Sequence, residues 1–189
     1  ASANCLLYEG AEPLFVDVDP VTGNIDPALV ADAADRFRVR ADGSRLKAIL
    51  PVHAFGQPAD MDPILETART HGLSVIEDAC EAVGAHYRGR PAGSLGDAGT
   101  LAFYPNKQMT TGEGGMALTQ DARLAERMAR LRTHGITRDA AQMTQVADGP
   151  WYYQQLDLGF NYRMTDLQAA LGRVRVVDAR APERFRGDV

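Results

Sequence analysis

The sequence predicts an α/β fold in which helices flank a mostly parallel sheet. From Leu14 to Ile76, short apolar runs that end at proline, glycine or acidic residues alternate with helix signals. Asp26-Pro27 and Asp62-Pro63 each combine a capping aspartate with a proline suited to a first helical turn. Strands that alternate with helices through short links are typical of βαβ units, whose strands run parallel.

Each element of the fold has its own signal along the chain. Apolar runs predict strands at 13–18, 48–53, 73–76, 100–103 and 116–119. Apolar faces at helical spacing predict helices at 1–8, 26–37, 62–71 and 121–133, and a capping box at Thr165 and Gln168 opens a last helix. Residues 87–91 have the composition of a tight turn, and 134–149 that of a loop.

Composition narrows the possible partners. A chain of 189 residues with 45% hydrophobic and 24% charged residues is typical of a globular protein, and no apolar run approaches a membrane span. A net charge of −5 argues against a nucleic-acid partner or an anionic membrane surface. Cys5 and Cys80 form no disulfide framework or zinc pattern, so we expect a reducing cytoplasm.

Lys107 lies in a polar loop that follows the apolar run 100–103 and precedes the glycine-rich segment 112–115. Loops after the strands of an open α/β sheet border the crevice where ligands bind. A lysine that loses hydration there can attack a carbonyl group as a neutral amine. The alternative is an ordinary solvated loop charge.

The predicted strand 73–76 finishes in Glu77-Asp78, which places Asp78 on the same edge of the sheet as the Lys107 loop. Its carboxylate could cap the following helix, or it could hold the protonated ring nitrogen of a pyridoxal cofactor. Glu81 lies about one helical turn further on, where it could reach the same ligand or remain solvated. His53 could face the crevice or serve as a hydrogen-bonded structural residue.

Three segments match a known family in order and spacing. Val75-Ile76-Glu77-Asp78-Ala79-Cys80-Glu81-Ala82, Phe103-Tyr104-Pro105-Asn106-Lys107 with Gly112-Glu113-Gly114-Gly115, and Asn161-Tyr162-Arg163 together resemble the DegT/DnrJ/EryC1/StrS nucleotide-sugar aminotransferases. The resemblance runs from Ala1 to about Gly172, and around Glu81 and Lys107 it is most similar to perosamine-synthase-type members. It implies the central part of the large domain of a fold-type I aminotransferase that depends on pyridoxal 5′-phosphate (PLP).

The resemblance also implies a role for each site residue. Lys107 would bond to the cofactor aldehyde and shuttle the proton, and Asp78 would pair with the ring nitrogen. Glu81 stands where the family usually has Gln or His near the cofactor 3-hydroxyl group. Asn161 would reach the cofactor phosphate of a partner subunit in a homodimer. The implied reaction moves an amino group, typically from glutamate, to a 4-keto-6-deoxy sugar on a nucleoside diphosphate.

Two departures from the family follow from the same comparison. Ala102 occupies the position of a phosphate-binding serine, which removes one phosphate contact. We also expect residues 1–172 to be a partial large domain cut at its N-terminus, 173–189 to be an irregular tail unlike the family, and the small C-terminal domain to be absent. On that expectation the isolated piece is inactive.

Three other functions compete with the aminotransferase hypothesis. A dehydratase of the same family would carry histidine in place of Lys107. A catalytically silent dimerisation or regulatory module would fit the cut ends but would not need Lys107 and Asp78. A Rossmann oxidoreductase would need the G-x-G-x-x-G fingerprint, which the segment 112–115 does not provide.

Overall fold

The computed structural model describes residues 1–40 and 43–179. Its helices are α1 (Asn4–Tyr8), α2 (Pro27–Arg36), α3 (Met61–His71), α4 (Ala122–Leu131) and α5 (Asp166–Ala179). Its strands are β1 (Ala48–Ile49), β2 (Ser74–Asp78), β3 (His86–Tyr87), β4 (Arg90–Pro91), β5 (Ala98–Ala102), β6 (Gly115–Leu118), β7 (Ile136–Thr137) and β8 (Gln154–Gln155). No helix among these residues has the length and apolar character needed to cross a membrane.

The central sheet confirms the predicted α/β class. Its strand order is β1-β2-β5-β6. Strand β2 pairs in parallel with both β1 and β5, and β6 pairs antiparallel with β5 at the edge of the sheet. Asp78 pairs with Thr100 in the register of β2 and β5, and the Lys107 loop begins just after β5 ends. The carboxyl ends of β2 and β5 therefore lie side by side, as the sequence predicts.

The main core lies between the sheet and helices α2 and α3. Asp26 caps α2 by accepting hydrogen bonds from the first-turn N–H groups, and Gly72 ends α3 in the left-handed conformation. The buried apolar side chains of this core are Val30, Ile49, Ala59, Met61, Ile64, Ala68, Val75 and Leu95. This packing fixes β2, and with it the position of Asp78 at the strand end.

The predicted strand 13–18 is wrong. Only Val18 makes a strand-like contact, an isolated antiparallel bridge with Ile25. Leu14 and Phe15 are exposed, and Val16 alone of the run packs against the main core. An apolar run signals a buried segment, but a strand also needs a neighbouring strand to bond with, and this run has none within the described residues.

Two predictions for the second half of the chain, the loop 134–149 and the irregular tail from residue 173, also differ from the structure. The predicted loop 134–149 contains β7, whose two residues pair with β8 and are too few to leave a periodic pattern. The predicted irregular tail begins at residue 173, yet α5 continues through Ala179. Ala, Val and Arg propagate a helix adequately without an apolar face. The remainder of that predicted tail, 180–189, lies outside the described residues.

Candidate active site

Lys107 and Glu81 form an ion pair at the carboxyl edge of the sheet. The Nζ atom of Lys107 lies 3.1 Å from Oε1 of Glu81, and their side chains are 20% and 44% exposed. The hydrogen bond and charge of Lys107, together with the N–H of Phe55, hold the pKa of Glu81 below its ordinary value. Two of the residues singled out from sequence are thus in direct contact.

Asp78 lies beside this pair with its carboxylate already oriented. Its Oδ2 accepts a hydrogen bond from the Ser2 hydroxyl at 2.5 Å, and its Oδ1 accepts one from the N–H of Cys80 at 3.1 Å. Burial raises the pKa of Asp78, but the bonds from Ser2 and Cys80 and the charge of Lys107 outweigh it, so the pKa lies below its ordinary value. An ionised carboxylate is therefore held at the same edge of the sheet as the amine of Lys107.

The backbone from Phe55 to Gly56 closes over Glu81. The N–H of Phe55 donates to Oε2 of Glu81 at 3.2 Å, while the ring is 90% exposed and the residue has φ of 55°. Gly56 has φ of 86°, and a Cβ there would lie 3.0 Å from the carbonyl oxygen of Glu81. A larger residue than glycine would be strained in both respects. Gln108 also donates a side-chain hydrogen bond to that carbonyl oxygen.

His53 is a structural residue, one of the two alternatives left open by the sequence. Its ring is fully buried, and its Nδ1 accepts the N–H of Ala59, which leaves Nε2–H to donate to Glu77 at 2.9 Å. Glu77 is also fully buried and accepts three more hydrogen bonds, from the N–H groups of Gly93, Leu95 and Gly96. His53 therefore supports the site indirectly, through its hydrogen bond with the buried Glu77.

Asn161 does not join the cluster within this chain. It is exposed and lies on an isolated antiparallel bridge with Thr133, beyond helix α4. Within residues 1–40 and 43–179 its side chain makes no hydrogen bond, so its amide group is available to a ligand or to another subunit. The structure thus brings together Asp78, Glu81 and Lys107, and leaves Asn161 apart.

Sequence reasoning missed three residues at this site: Ser2, Phe55 and Gln108. None has a chemically distinctive type or spacing, and Ser2 is separated from Asp78 by 76 positions. Only Phe55-Gly56 carried a local signal, since a glycine after a strand often marks a close backbone approach. The contacts of the other two depend on tertiary packing alone.

The donor set suits a pyridoxal-type cofactor at both ends of its ring. The amine of Lys107 can meet an aldehyde, and the ionised carboxylate of Asp78 can hold a protonated ring nitrogen. No group of three or more His, Cys, Asp or Glu side chains in the described parts of the chain is arranged to bind a metal ion. Lys107 and Asp78 lie at the same edge of the sheet, because the strands that they follow or end, β5 and β2, are neighbours in parallel register.

A cavity lies elsewhere on the molecule. It has a volume of about 450 Å³ and is lined by Thr22, Gln57, Asp60 and Tyr87 among others, but by none of Asp78, Glu81 and Lys107. Tyr87 already donates to Asp60 inside it, at 2.5 Å. The candidate site is instead an open edge of the sheet, identified by its chemistry rather than by enclosure.

Comparison with known proteins agrees with this chemistry. The model of the DegT/DnrJ/EryC1/StrS aminotransferase family matches residues 1–184, which include most of the tail that the sequence analysis set apart from the family. The chain is 49% identical to the GDP-perosamine synthase of Caulobacter vibrioides over 172 residues, 91% of this chain and 41% of that enzyme.

Two solved structures have the same fold. An aminotransferase from Psychrobacter cryohalolentis is 41% identical, with a TM-score of 0.81 over 96% of this chain and 44% of that one. PseC of Helicobacter pylori, an aminotransferase in the biosynthesis of pseudoaminic acid, is 27% identical, with a TM-score of 0.80 over 94% of this chain and 43% of that one. The chain spans less than half the length of these relatives.

Proposed function

We propose a function from the premise that the chain belongs to the DegT/DnrJ/EryC1/StrS aminotransferase family, whose cofactor is PLP. The protein that contains it transfers an amino group from an amino acid, glutamate in our proposal, to the keto group of a nucleotide-linked 4-keto-6-deoxy sugar. The similarity to a GDP-perosamine synthase supports a sugar of this class. The observation that carries the proposal is the placement of Lys107 and Asp78 at one edge of the sheet.

The residues divide the work by charge and position. PLP, when bound, supplies an electrophilic carbon and an electron-withdrawing ring. Asp78 holds the positive charge of the ring nitrogen with its carboxylate, which the neighbouring hydrogen bonds keep ionised. Lys107 provides the amine that anchors the cofactor and then moves a proton through its Nζ atom. Glu81 holds that Nζ atom whenever the lysine is free.

Asn161 extends the proposal to a second subunit. Its exposed amide, unpaired in the described part of this chain, is suited to hydrogen-bond the cofactor phosphate bound by a partner copy. The site would then be complete only in a homodimer. Ala102 has no hydroxyl group with which this chain could bind the phosphate. A hydrogen bond from the partner copy would therefore matter more for holding that phosphate.

The test uses the two lysines of this chain, Lys107 and Lys47. After the full-length protein is incubated with PLP and reduced with borohydride, peptide mass spectrometry should find the cofactor mass on Lys107 and none on the exposed Lys47. Lys107→Ala should lose the label and at least about 10³-fold in transamination of a keto sugar panel with glutamate, because it removes the nucleophile. Lys47→Ala is the matched control and should retain both.

Two outcomes would contradict the proposal. Retention of the label and of transamination in Lys107→Ala would remove Lys107 from the chemistry. Sugar dehydration without amino transfer by the unaltered protein would favour the dehydratase alternative. Measuring the amino sugar and the 2-keto acid product together separates these results.

A further inference from the structure

Ser2 makes the shortest hydrogen bond to Asp78, and no motif or comparison assigns it a role. Its hydroxyl donates to Oδ2 of Asp78 at 2.5 Å, across 76 positions of the chain. Both side chains are only partly exposed. A hydrogen bond to a charged acceptor in such a setting is stronger than one between neutral groups.

The segment that carries Ser2 is itself fixed in place. The Sγ atom of Cys5 donates to the carbonyl oxygen of Ser2 at 3.0 Å, and the N–H of Asn4 donates to that of Ala1 at 3.0 Å. Ser2 therefore precedes α1 in a defined turn rather than as a loose strand. The hydroxyl binds one carboxylate oxygen of Asp78, and the N–H of Cys80 binds the other.

These two donors leave a restricted set of lone pairs on Asp78. Oδ1 is engaged by Cys80 and Oδ2 by Ser2, so the carboxylate cannot rotate without losing a bond. Each oxygen still has a second lone pair with which it can accept a bond from a cationic ligand. A carboxylate fixed in this way meets a ring N–H at one angle, which preorganises the contact.

We propose that Ser2 is a positioning residue for the cofactor, acting by orienting the Asp78 carboxylate. This inference rests on the proposed function, because it assigns Ser2 to the same cofactor site. Ser2 itself does not bond to the reacting atoms. Its effect passes through Asp78 to the ring nitrogen, whose protonation determines how well the ring withdraws electrons.

The pH dependence of PLP binding in acid tests this role of Ser2. The groups that act on the pKa of Asp78 are Ser2, Cys80 and Lys107, and the charge of Asp78 in turn opposes the lowering of the pKa of Glu81. Ser2 supplies the strongest of the effects that lower the pKa of Asp78 against its burial. Without the hydroxyl, Asp78 becomes protonated at a higher pH. The midpoint at which PLP binding fails on acidification should then move to higher pH.

The experiment compares Ser2→Ala, Ser2→Thr and the unaltered full-length protein. PLP affinity is measured by protein fluorescence quenching from pH 2.5 to pH 8, with thermal stability recorded alongside at each pH. Ser2→Ala should raise the acid midpoint, and Ser2→Thr, which retains a hydroxyl group, should restore it. Asp78→Asn should abolish the transition, which identifies Asp78 as its source.

Ser94→Ala is the matched control, because the Ser94 hydroxyl donates to the carbonyl oxygen of Pro91, away from the site. It should leave the acid midpoint unchanged. If Ser2→Ala lowers thermal stability but keeps the same midpoint, Ser2 is merely structural and the inference is overturned, while the proposed function stands. If the unaltered protein binds no PLP at any pH, the proposed function fails and this inference fails with it.

Discussion

Glu77 and Glu81 flank Asp78 at the end of β2, four residues apart, and they meet opposite environments. Glu77 is fully buried, and its two oxygens accept four hydrogen bonds, from His53 and from the N–H groups of Gly93, Leu95 and Gly96. Glu81 is 44% exposed at its side chain and accepts bonds from Lys107 and from the N–H of Phe55.

These environments indicate that Glu77 stabilises the fold, whereas Glu81 can take part in ligand binding. The partners of Glu77 are one neutral imidazole and three backbone N–H groups. Loss of any of these hydrogen bonds would leave a buried polar group unsatisfied. The main partner of Glu81 is a flexible lysine at the edge of the sheet, which can exchange one contact for another. Asp78, between them in sequence, has its carboxylate held by Ser2 and Cys80 instead.

Replacing Glu77 with glutamine should give the largest loss of stability. The amide NH₂ of Glu77→Gln would face two of the four donors that now point at a carboxylate, and they would remain buried and unpaired. We expect the free energy of unfolding to fall by about 3 kcal/mol. Urea denaturation of the full-length protein measures it. A loss below about 1 kcal/mol would mean that the network relaxes and that Glu77 is not a structural centre.

The same network should weaken in acid. Burial raises the pKa of Glu77, but the bonds from His53, Gly96, Gly93 and Leu95 outweigh it and lower the pKa from its ordinary value of 4.5. A carboxyl group with a lowered pKa stabilises the fold above its unfolded value, and that contribution disappears as the pH falls through the folded value. The difference in unfolding free energy between the unaltered protein and Glu77→Gln should therefore shrink on acidification from pH 7 to below 4.5. A constant difference would contradict it.

Replacing Glu81 with glutamine should cost much less. Because Glu81 is nearly half exposed, water replaces much of the lost ion pair with Lys107. We expect Glu81→Gln to change the free energy of unfolding by less than about 1 kcal/mol, in the same urea experiment as Glu77→Gln. A loss equal to that of Glu77→Gln would erase the distinction between the two glutamates.

The comparison also marks the limit of what the sequence could predict. The alternation of strands and helices placed Asp78 and Lys107 on one edge, because the carboxyl ends of neighbouring strands coincide in register. A structural, hydrogen-bonded role for His53 could be offered only as an alternative, since the pattern does not say which way a strand-end side chain points or that Glu77 is its partner. Ser2 was out of reach, because its bond to Asp78 depends on how the first turn packs on the sheet.

The smallest effect should come from Phe55, which is strained on the open side of the comparison. It has φ of 55° with ψ of 22°, in the left-handed region that costs a bulky residue about 1 kcal/mol or more. Its ring is 90% exposed, so little packing opposes that cost. Asparagine tolerates this conformation and retains the N–H that binds Glu81. Phe55→Asn should therefore raise the free energy of unfolding by about 0.5 to 1 kcal/mol in urea denaturation, with Phe15→Asn as an exposed control that lacks a positive φ.

A loss of stability in Phe55→Asn, with no change in Phe15→Asn, would mean that the Phe55 ring has a partner that repays the strain. A gain confined to Phe55 would mean instead that the open side carries backbone strain without compensation in this chain. Strain of that kind persists where the surrounding structure imposes it, and it is concentrated at sites that bind ligands. If Phe55→Asn is more stable but binds PLP more weakly, the left-handed residue beside Glu81 contributes to the function of the site. Glu77, by contrast, contributes only to the shape of the site.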